Sequence, residues 1–232
     1  MSKLARFFDR IRTGGVQKSL VYAFHRYRVL LLERKYRIQS VGEIECKKLG
    51  LDESLFNGYC PVSFGCLRRV LKRVPIRDGQ AGLIDYGAGM GRVVVVAATD
   101  YPFKRVIGVE IREELARIAE QNIDRARSRL RCTNTEIVVT DATTFVVPGD
   151  INIAFFFNPF RGKVLSDVME RLRESVTANP RTFWVLYVNP SDSTEALLKS
   201  TPGLVVVEEY TDSFIPGAEG KVIIFKVSAG DG

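Results

Sequence analysis

The sequence predicts an α/β fold: a doubly wound, mainly parallel seven-stranded sheet with an antiparallel last strand, preceded by a helical N-terminal extension. From residue 81 onward, apolar runs of strand length alternate with amphipathic runs of helix length, which is typical of a parallel sheet covered on both faces. The last two strand-like runs are joined by a short turn-forming stretch without a helix, so the final strand should run antiparallel. A chain of 232 residues with 46% hydrophobic content can build a packed core, which excludes a disordered protein.

Residues 1 to 40 are predicted to be mainly helical. Apolar residues recur at helical spacing among basic ones, at Leu4, Phe7, Phe8 and Ile11, then at Leu20, Tyr22, Phe24 and Tyr27, with Gly14-Gly15 between the two groups. Residues 41 to 59 show a mixed pattern. Pro61 opens a predicted helix that runs to Val74 and ends at Pro75 and Asp78-Gly79.

The remainder of the chain supplies the sheet. The predicted strands are Ala81–Tyr86, Arg105–Ile111, Ile137–Thr140, Ile151–Phe157, Thr182–Val188, Leu204–Tyr210 and Lys221–Val227. The predicted helices between them are Arg92–Thr99, Glu113–Leu130, Lys163–Thr177 and Ser193–Ser200. Pro216-Gly217 and Gly220 predict the turn between the last two strands.

Charge divides the chain into a basic, mainly helical extension, residues 1–59, and a sheet domain, residues 60–232. Residues 1 to 40 hold ten Lys or Arg and two acidic residues, a net charge of +8, while the whole chain carries +7 and the remainder therefore −1. Such a segment is either a solvated helical face or a contact for an anionic partner, nucleic acid or membrane surface. Its aromatic residues Tyr22, Phe24 and Tyr27 are expected to pack on the domain, a nucleic-acid stacking surface being the alternative.

The apolar runs are too short to span a membrane, because the longest candidate is interrupted by Lys18, Arg26 and Arg28 where about 20 apolar residues are needed. The N-terminus lacks a signal cleavage site, so we expect a cytoplasmic protein. Four scattered cysteines without C-x-x-C spacing and the single His25 predict no metal site. The cysteines are expected to be reduced, with a Cys60–Cys66 disulfide as the alternative.

Three glycines at alternate positions follow the first strand, in I-D-Y-G-A-G-M-G-R, residues 84 to 92. Glycine accepts positive φ and allows a ligand to touch the main chain, although tight strand-to-helix packing gives the same pattern. Glu110 ends the second strand, where a carboxylate can accept hydrogen bonds from ribose hydroxyls, and Asp141 ends the third. The carboxyl ends of parallel strands form the ligand-binding edge of such sheets, so a nucleotide-like ligand is predicted there.

At these residues the chain resembles the class I S-adenosylmethionine-dependent methyltransferases, over about residues 60 to 227. The resemblance implies that the methionine part of this cofactor lies on Asp85, Gly87, Ala88, Gly89 and Gly91, the ribose on Glu110 beside Ile111, and the adenine near Asp141 and Ala142. Tyr59 would belong to an upstream loop that covers the cofactor. The stretch from Phe155 to Leu172 is also similar to the fourth-strand region of the non-SET histone lysine methyltransferases.

The fourth strand ends in Asn158-Pro159-Phe160, which resembles the Asn-Pro-Pro-aromatic motif of amine methyltransferases but has one proline fewer. The resemblance implies that Asn158 and the Pro159 carbonyl accept hydrogen bonds from an amine and that Phe160 walls the pocket. A strand that simply stops at proline is the structural alternative. Methyl transfer requires alignment and a dry site more than a strong base, so the absence of histidine here is compatible with it.

The predicted function is N-methylation of an amine, in a protein lysine or another amino group, with a nucleic-acid base as the alternative acceptor. A nicotinamide-dependent oxidoreductase is a rival that the G-x-G-x-G spacing and the Asn-Pro-Phe turn disfavour. A nucleic-acid or membrane-surface binding module without turnover is a second rival, and the basic residues 1–40 favour it.

Overall fold

The computed structural model describes residue 20 and residues 23–77, 79–215 and 218–228. Residues 23–36 form helix α1, and a 3-10 turn spans Cys46–Leu49. The later helices are α2 (Phe64–Leu71), α3 (Arg92–Asp100), α4 (Glu113–Ala126), α5 (Gly162–Ala178) and α6 (Asp192–Ser200). The strands are β1 (Gly82–Tyr86), β2 (Arg105–Glu110), β3 (Thr135–Val139), β4 (Ile153–Phe157), β5 (Phe183–Val188), β6 (Leu204–Ile215) and β7 (Ala218–Val227).

The seven strands form one sheet in the order β3-β2-β1-β4-β5-β7-β6. Strands β1 to β5 pair in parallel, and β7 pairs antiparallel with both β5 and β6. The predicted fold, with its reversed last strand, is confirmed. The final hairpin is longer than predicted, because Gly220 lies inside β7 opposite Asp212 and not in the turn. The predicted turn at Pro216-Gly217 lies outside the described residues.

Two apolar layers cover the sheet because successive strand residues point to opposite faces. Leu83 of β1 belongs to the layer formed with α2, α3 and α4, and its neighbour Ile84 belongs to the layer formed with α5 and α6. Every residue of β1 is buried. The strand order reverses between β1 and β4, which places the carboxyl end of β1 at the switch point where open α/β sheets bind ligands.

Helix α2 begins at Phe64, three residues after the predicted start at Pro61. The reason is a cap at Ser63, whose hydroxyl accepts a hydrogen bond from the Cys66 backbone N–H at 3.1 Å. All four cysteines are free in this structure, and no disulfide joins Cys60 to Cys66. None of the described helices combines the length and apolarity required to cross a bilayer.

Helix α1 packs on the domain through the face that carries Val29, Leu32 and Tyr36, and not through the face of Phe24 and Tyr27. Tyr36 is fully buried in the core layer beside α2, and Val29 and Leu32 pack against that layer. Phe24 and Tyr27 are 62% and 59% exposed, so the prediction that they pack on the domain is wrong. Apolar residues occur on both sides of this helix, and only one side meets the core. Tyr22 and the apolar residues from Leu4 to Ile11 lie outside the described residues.

Candidate active site

A cavity opens at the carboxyl edge of the sheet and encloses about 900 Å³ of space, its solvent-open mouth included. Eleven of the predicted site residues line it: Tyr59, Asp85, Gly87, Ala88, Gly89, Glu110, Ile111, Asp141, Ala142, Pro159 and Phe160. Gly91 and Asn158 are not among the lining residues.

The three glycines of the turn after β1 have positive φ angles, 74°, 54° and 78° at Gly87, Gly89 and Gly91. A Cβ atom at Gly87 would lie 2.6 Å from Pro159 Cβ, and one at Gly89 would overlap the Tyr59 ring. A Cβ at Gly91 would lie 2.8 Å from Ala119 Cβ of α4. The missing side chains therefore permit close packing of protein groups, and Gly91 serves the contact between α3 and α4.

Two buried carboxylates meet in this cavity. Asp85 is 3% exposed and Glu110 is 6% exposed. Among the described residues the Asp85 carboxylate has no hydrogen-bond or ion-pair partner. Burial, and then the neighbouring Glu110 carboxylate, raise the pKa of Asp85 well above its usual range. An unpaired buried acid at a cavity wall favours a cationic or hydrogen-bond-donating ligand group.

Glu110 is held by the backbone around it. Its Oε2 accepts a hydrogen bond from the Gly89 N–H at 2.7 Å, and its Oε1 accepts from the Ile111 and Arg112 N–H groups, both at 3.0 Å. Burial still raises the pKa of Glu110 in spite of these donors. A carboxylate offers about four acceptor sites, so Oε2 keeps capacity for a ligand hydroxyl.

Asp141 and Ala142 lie in the turn after β3. The Asp141 Oδ1 atom accepts hydrogen bonds from the Thr143 N–H and hydroxyl, both at 2.8 Å, so this carboxylate first stabilises its own turn. Both residues line the cavity, and their contact to a base stays a prediction.

The Asn-Pro-Phe stretch after β4 is clamped by an upstream loop. The Asn57 N–H donates to the Pro159 carbonyl at 2.9 Å, and the Asn57 side-chain amide donates to the Asn158 carbonyl at 2.7 Å. Phe56 and Phe160 form an isolated antiparallel bridge in the same place. The clamp fixes a stretch in which Asn158 itself has a positive φ of 44°.

Asn158 and Phe160 turn partly toward the protein interior. The Asn158 Oδ1 atom is 3.4 Å from the Tyr187 hydroxyl. Phe160 is 4% exposed and packs edge-on against Tyr86 and Phe156, with ring centroids 6.4 and 6.0 Å away. Sequence reasoning missed Phe56 and Asn57, although the Asn57-Gly58 pair is a turn signal just upstream of Tyr59.

Tyr59 covers Gly89 and is held in place from the N-terminal side. Its hydroxyl donates to the Ser40 carbonyl at 2.7 Å, and burial raises its pKa. The Glu33 carboxylate accepts from the Ser40 N–H at 2.7 Å and from the Ser40 hydroxyl at 2.8 Å. Ser40 and Glu33 are both buried, so this part of the chain has a defined position over the turn.

Arg92, the first residue of α3, completes this network. Its Nε donates to the Ser40 hydroxyl at 2.9 Å, its Nη1 donates to the Val62 carbonyl at 2.9 Å, and its Nη2 lies 3.5 Å from Glu33 Oε1. Arg92 is 6% exposed, and burial lowers its pKa. Sequence reasoning missed Glu33, Ser40 and Arg92, since no local pattern links residues more than 50 positions apart.

The fold is the one seen in solved methyltransferase structures. The family model described as "Histone methylation protein DOT1" matches residues 56–146, a range that includes the glycine turn, Glu110 and Asp141. In the structural comparison, an RNA methyltransferase from Salinibacter ruber, solved in complex with S-adenosyl-L-homocysteine, superposes with a TM-score of 0.52 at 17% identity. The superposition covers 75% of this chain and 97% of that one, and it shows the fold.

Two curated proteins are similar in sequence. An rRNA N(6)-adenosine-methyltransferase from Caenorhabditis elegans is 32% identical over 81 residues, 35% of this chain and 38% of that protein. A protein-lysine N-methyltransferase from Saccharolobus islandicus is 34% identical over 67 residues, 29% of this chain and 41% of that protein. The chain thus spans about two fifths of the length of each relative. The predicted resemblance to class I methyltransferases is confirmed, and so is the similarity to a histone methylation family. The matched residues 56–146 precede the stretch from Phe155 to Leu172 on which the second prediction rested.

Proposed function

We propose that this protein is an S-adenosylmethionine-dependent methyltransferase that transfers a methyl group to the nitrogen of an amine. The observation that carries the proposal is the buried, unpartnered Asp85 carboxylate beside Glu110, at the glycine turn of a class I methyltransferase fold. Two acids in one buried cavity repel each other, and a ligand with a positive charge and hydroxyl donors relieves that repulsion.

The residues present fit this cofactor. Asp85 would hold its positively charged amino end, and Glu110 would use its remaining acceptor capacity for a ribose hydroxyl. Tyr59 would cover the methionine part, and Ala142 would border the base. When bound, S-adenosylmethionine supplies a methyl group activated by a positive sulfonium.

The acceptor would enter beside Pro159 and Phe160. The neighbouring wall carries Phe56 and Val164, so the acceptor side of the cavity is apolar and excludes water from the reaction. The Pro159 carbonyl already accepts one hydrogen bond from Asn57 and has a second lone pair free for an amine N–H. No histidine or lysine is among the described lining residues, and Asp85 and Glu110 are assigned to the cofactor, so the amine would have to arrive neutral or lose its proton to water.

A protein lysine or another amino group is the leading acceptor. Both curated relatives are named for the methylation of an amino nitrogen, one on lysine and one on adenosine, which supports N-methylation over other acceptor atoms. The second candidate is a base of RNA, which the similarity to the rRNA adenosine enzyme favours.

Calorimetry with S-adenosylmethionine and S-adenosylhomocysteine tests the cofactor assignment. We expect the full chain to bind both, and we expect Glu110→Ala to lose binding by at least about tenfold, as for a charge-assisted hydrogen bond. Asp124→Ala removes an exposed carboxylate of α4 and serves as the matched control, which should bind normally. Absence of binding to the folded wild-type protein would exclude the proposal.

Transfer of a radiolabelled methyl group tests the acceptor. Lysine-rich peptides and structured RNA are compared in parallel with the wild-type protein. Label in the peptide supports a lysine acceptor, label in the RNA supports the second candidate, and amino-acid or nucleoside analysis then identifies the modified atom.

A further inference from the structure

Helix α1 presents an apolar stripe to solvent on the side opposite its packed face. Leu20 precedes Phe24, Tyr27 and Leu31 at intervals of four, three and four residues in the sequence, and the last three lie on one side of α1. Their exposed fractions are 62%, 62%, 59% and 45%. From Phe24 to Leu31 the stripe is about 11 Å long at 1.5 Å per residue. Such a contiguous exposed apolar surface marks an interaction site.

Basic residues flank the stripe. We define the flank as Arg26, Arg28, Arg34, Lys35 and Arg37, which are all exposed. Among the described residues, none of these five forms a salt bridge, and the only acidic residue of α1, Glu33, is buried against Ser40 and Arg92. The surface is therefore apolar along its centre and positive along its borders, and no described acid pairs with the basic flank.

An open groove continues this surface toward the domain. Arg34 and Arg37 line it together with Leu30 of the helix and Arg125 of α4. Glu33 also lines the groove, and its carboxylate is engaged by Ser40 and Arg92. The Arg125 guanidinium donates to the Asn122 side chain at 3.2 Å and is otherwise available on that wall. Three guanidinium groups around one groove beside exposed leucines match an anionic headgroup above an apolar chain.

We propose that α1 docks the protein on an anionic membrane surface, with the stripe inserted at the headgroup boundary and the basic flank on the phosphates. An amphipathic helix with large apolar residues on one face and Lys or Arg beside them lies in the plane of the interface. The sequence of residues 1–18 adds five Lys or Arg against one Asp, which increases the attraction to negative lipid. A nucleic acid would use the cations, but it offers no partner for the exposed aliphatic residues Leu20, Leu30 and Leu31.

Co-sedimentation of the full chain with vesicles tests the proposal. Vesicles of phosphatidylcholine alone are compared with vesicles that also contain phosphatidylserine, at low and high salt. We expect binding at least about tenfold tighter to the anionic vesicles, since each basic residue near the surface contributes about fivefold. High salt should weaken the binding.

Two variants separate the apolar and charged contributions, and each has a matched control. Phe24→Asp with Leu31→Asp should weaken vesicle binding by at least about tenfold, whereas Val146→Asp, at another strongly exposed apolar residue, should bind like wild type. Arg34→Glu with Arg37→Glu should weaken vesicle binding by about tenfold or more. Its control, Lys72→Glu with Lys104→Glu, makes the same change in net charge at other exposed positions and should bind vesicles more tightly than the Arg34→Glu, Arg37→Glu variant. Thermal melts confirm that each variant is folded.

Three results would overturn the proposal. The first is equal binding of neutral and anionic vesicles, or no binding to either. The second is RNA binding, without vesicle binding, that the stripe variant abolishes, which would assign the surface to nucleic acid. The third is a wild-type dimer, seen by light scattering, that Phe24→Asp with Leu31→Asp dissociates, which would assign the stripe to a second copy of the chain. None of these results bears on the methyltransferase assignment, because cofactor binding is measured separately.

Discussion

Asp85→Asn is expected to stabilise the ligand-free protein, because the isosteric amide removes a charge that is buried without a partner. Asp85 is 3% exposed, and burial and Glu110 both disfavour its ionised form. An unsatisfied buried polar group costs about 1–3 kcal/mol, and a charged one costs more. For a protein of this size, 1 kcal/mol changes the melting temperature by about 2–4 °C. We therefore expect the variant to melt at least about 2 °C higher at pH 8.

The pH dependence of this gain has a definite sign. The pKa of Asp85 is raised in the folded state, so its contribution to stability is fully present below its ordinary pKa of about 3.9 and is lost as the pH rises through the raised value. The free energy of unfolding of Asp85→Asn minus that of wild type should accordingly grow with pH. Urea denaturation of both proteins between about pH 5 and pH 8 measures this difference.

The same substitution should weaken S-adenosylmethionine binding by about tenfold or more, because a hydrogen bond to a charged group contributes about 1.5–3 kcal/mol. Calorimetry measures the affinity, and Asp124→Asn, at an exposed acid, should change neither affinity nor stability. A variant that is less stable than wild type at pH 8 and binds the cofactor equally well would refute both the burial argument and the role of Asp85.

Three further substitutions test the surroundings of the cavity. Gly89→Ala places a Cβ against the Tyr59 ring at a positive φ, so we expect loss of cofactor binding by calorimetry with little change in secondary structure by circular dichroism. Glu33→Gln leaves the Arg92 guanidinium buried without its counter-charge and should cost about 3–5 kcal/mol in urea denaturation. Glu110→Gln turns an amide N–H₂ toward a backbone N–H donor and should lower the free energy of unfolding by about 1–3 kcal/mol, measured in the same way.

The alternation of strands and helices sufficed to predict the sheet. A parallel strand that is buried on both faces appears in the sequence as an apolar run, and the connection to the next parallel strand usually contains a helix. The reversed last strand was predictable for the same reason, since a short connection between β6 and β7 excludes a crossover. The sequence did not show which side of α1 packs on the domain and which side faces solvent. Val29, Leu32 and Tyr36 form one apolar side and Leu20, Phe24, Tyr27 and Leu31 the other, and periodicity does not say which side meets the core.

The site residues that lie at the ends of strands were predictable from the sequence. Asp85, Glu110 and Asp141 come together because parallel strands end at one edge, and that rule operates on the sequence alone. The glycines were ambiguous, because a residue without Cβ is required equally by a ligand and by a close side chain. In the structure a close protein group occupies the space at each of the three glycines. It is Pro159 at Gly87, Tyr59 at Gly89 and Ala119 at Gly91.

The main consequence of the buried ion pair between Glu33 and Arg92 is that it positions neighbouring residues, and not that it adds to the free energy of unfolding. A buried ion pair is on average no more stabilising than apolar side chains of the same volume, because both charges lose their hydration. Here each partner also binds Ser40, and the Ser40 carbonyl holds the hydroxyl of Tyr59, whose ring covers Gly89. The pair therefore fixes the residue that closes the cavity. Glu33, Ser40 and Tyr59 all precede residue 60, so residues predicted to belong to the extension build one wall of the site.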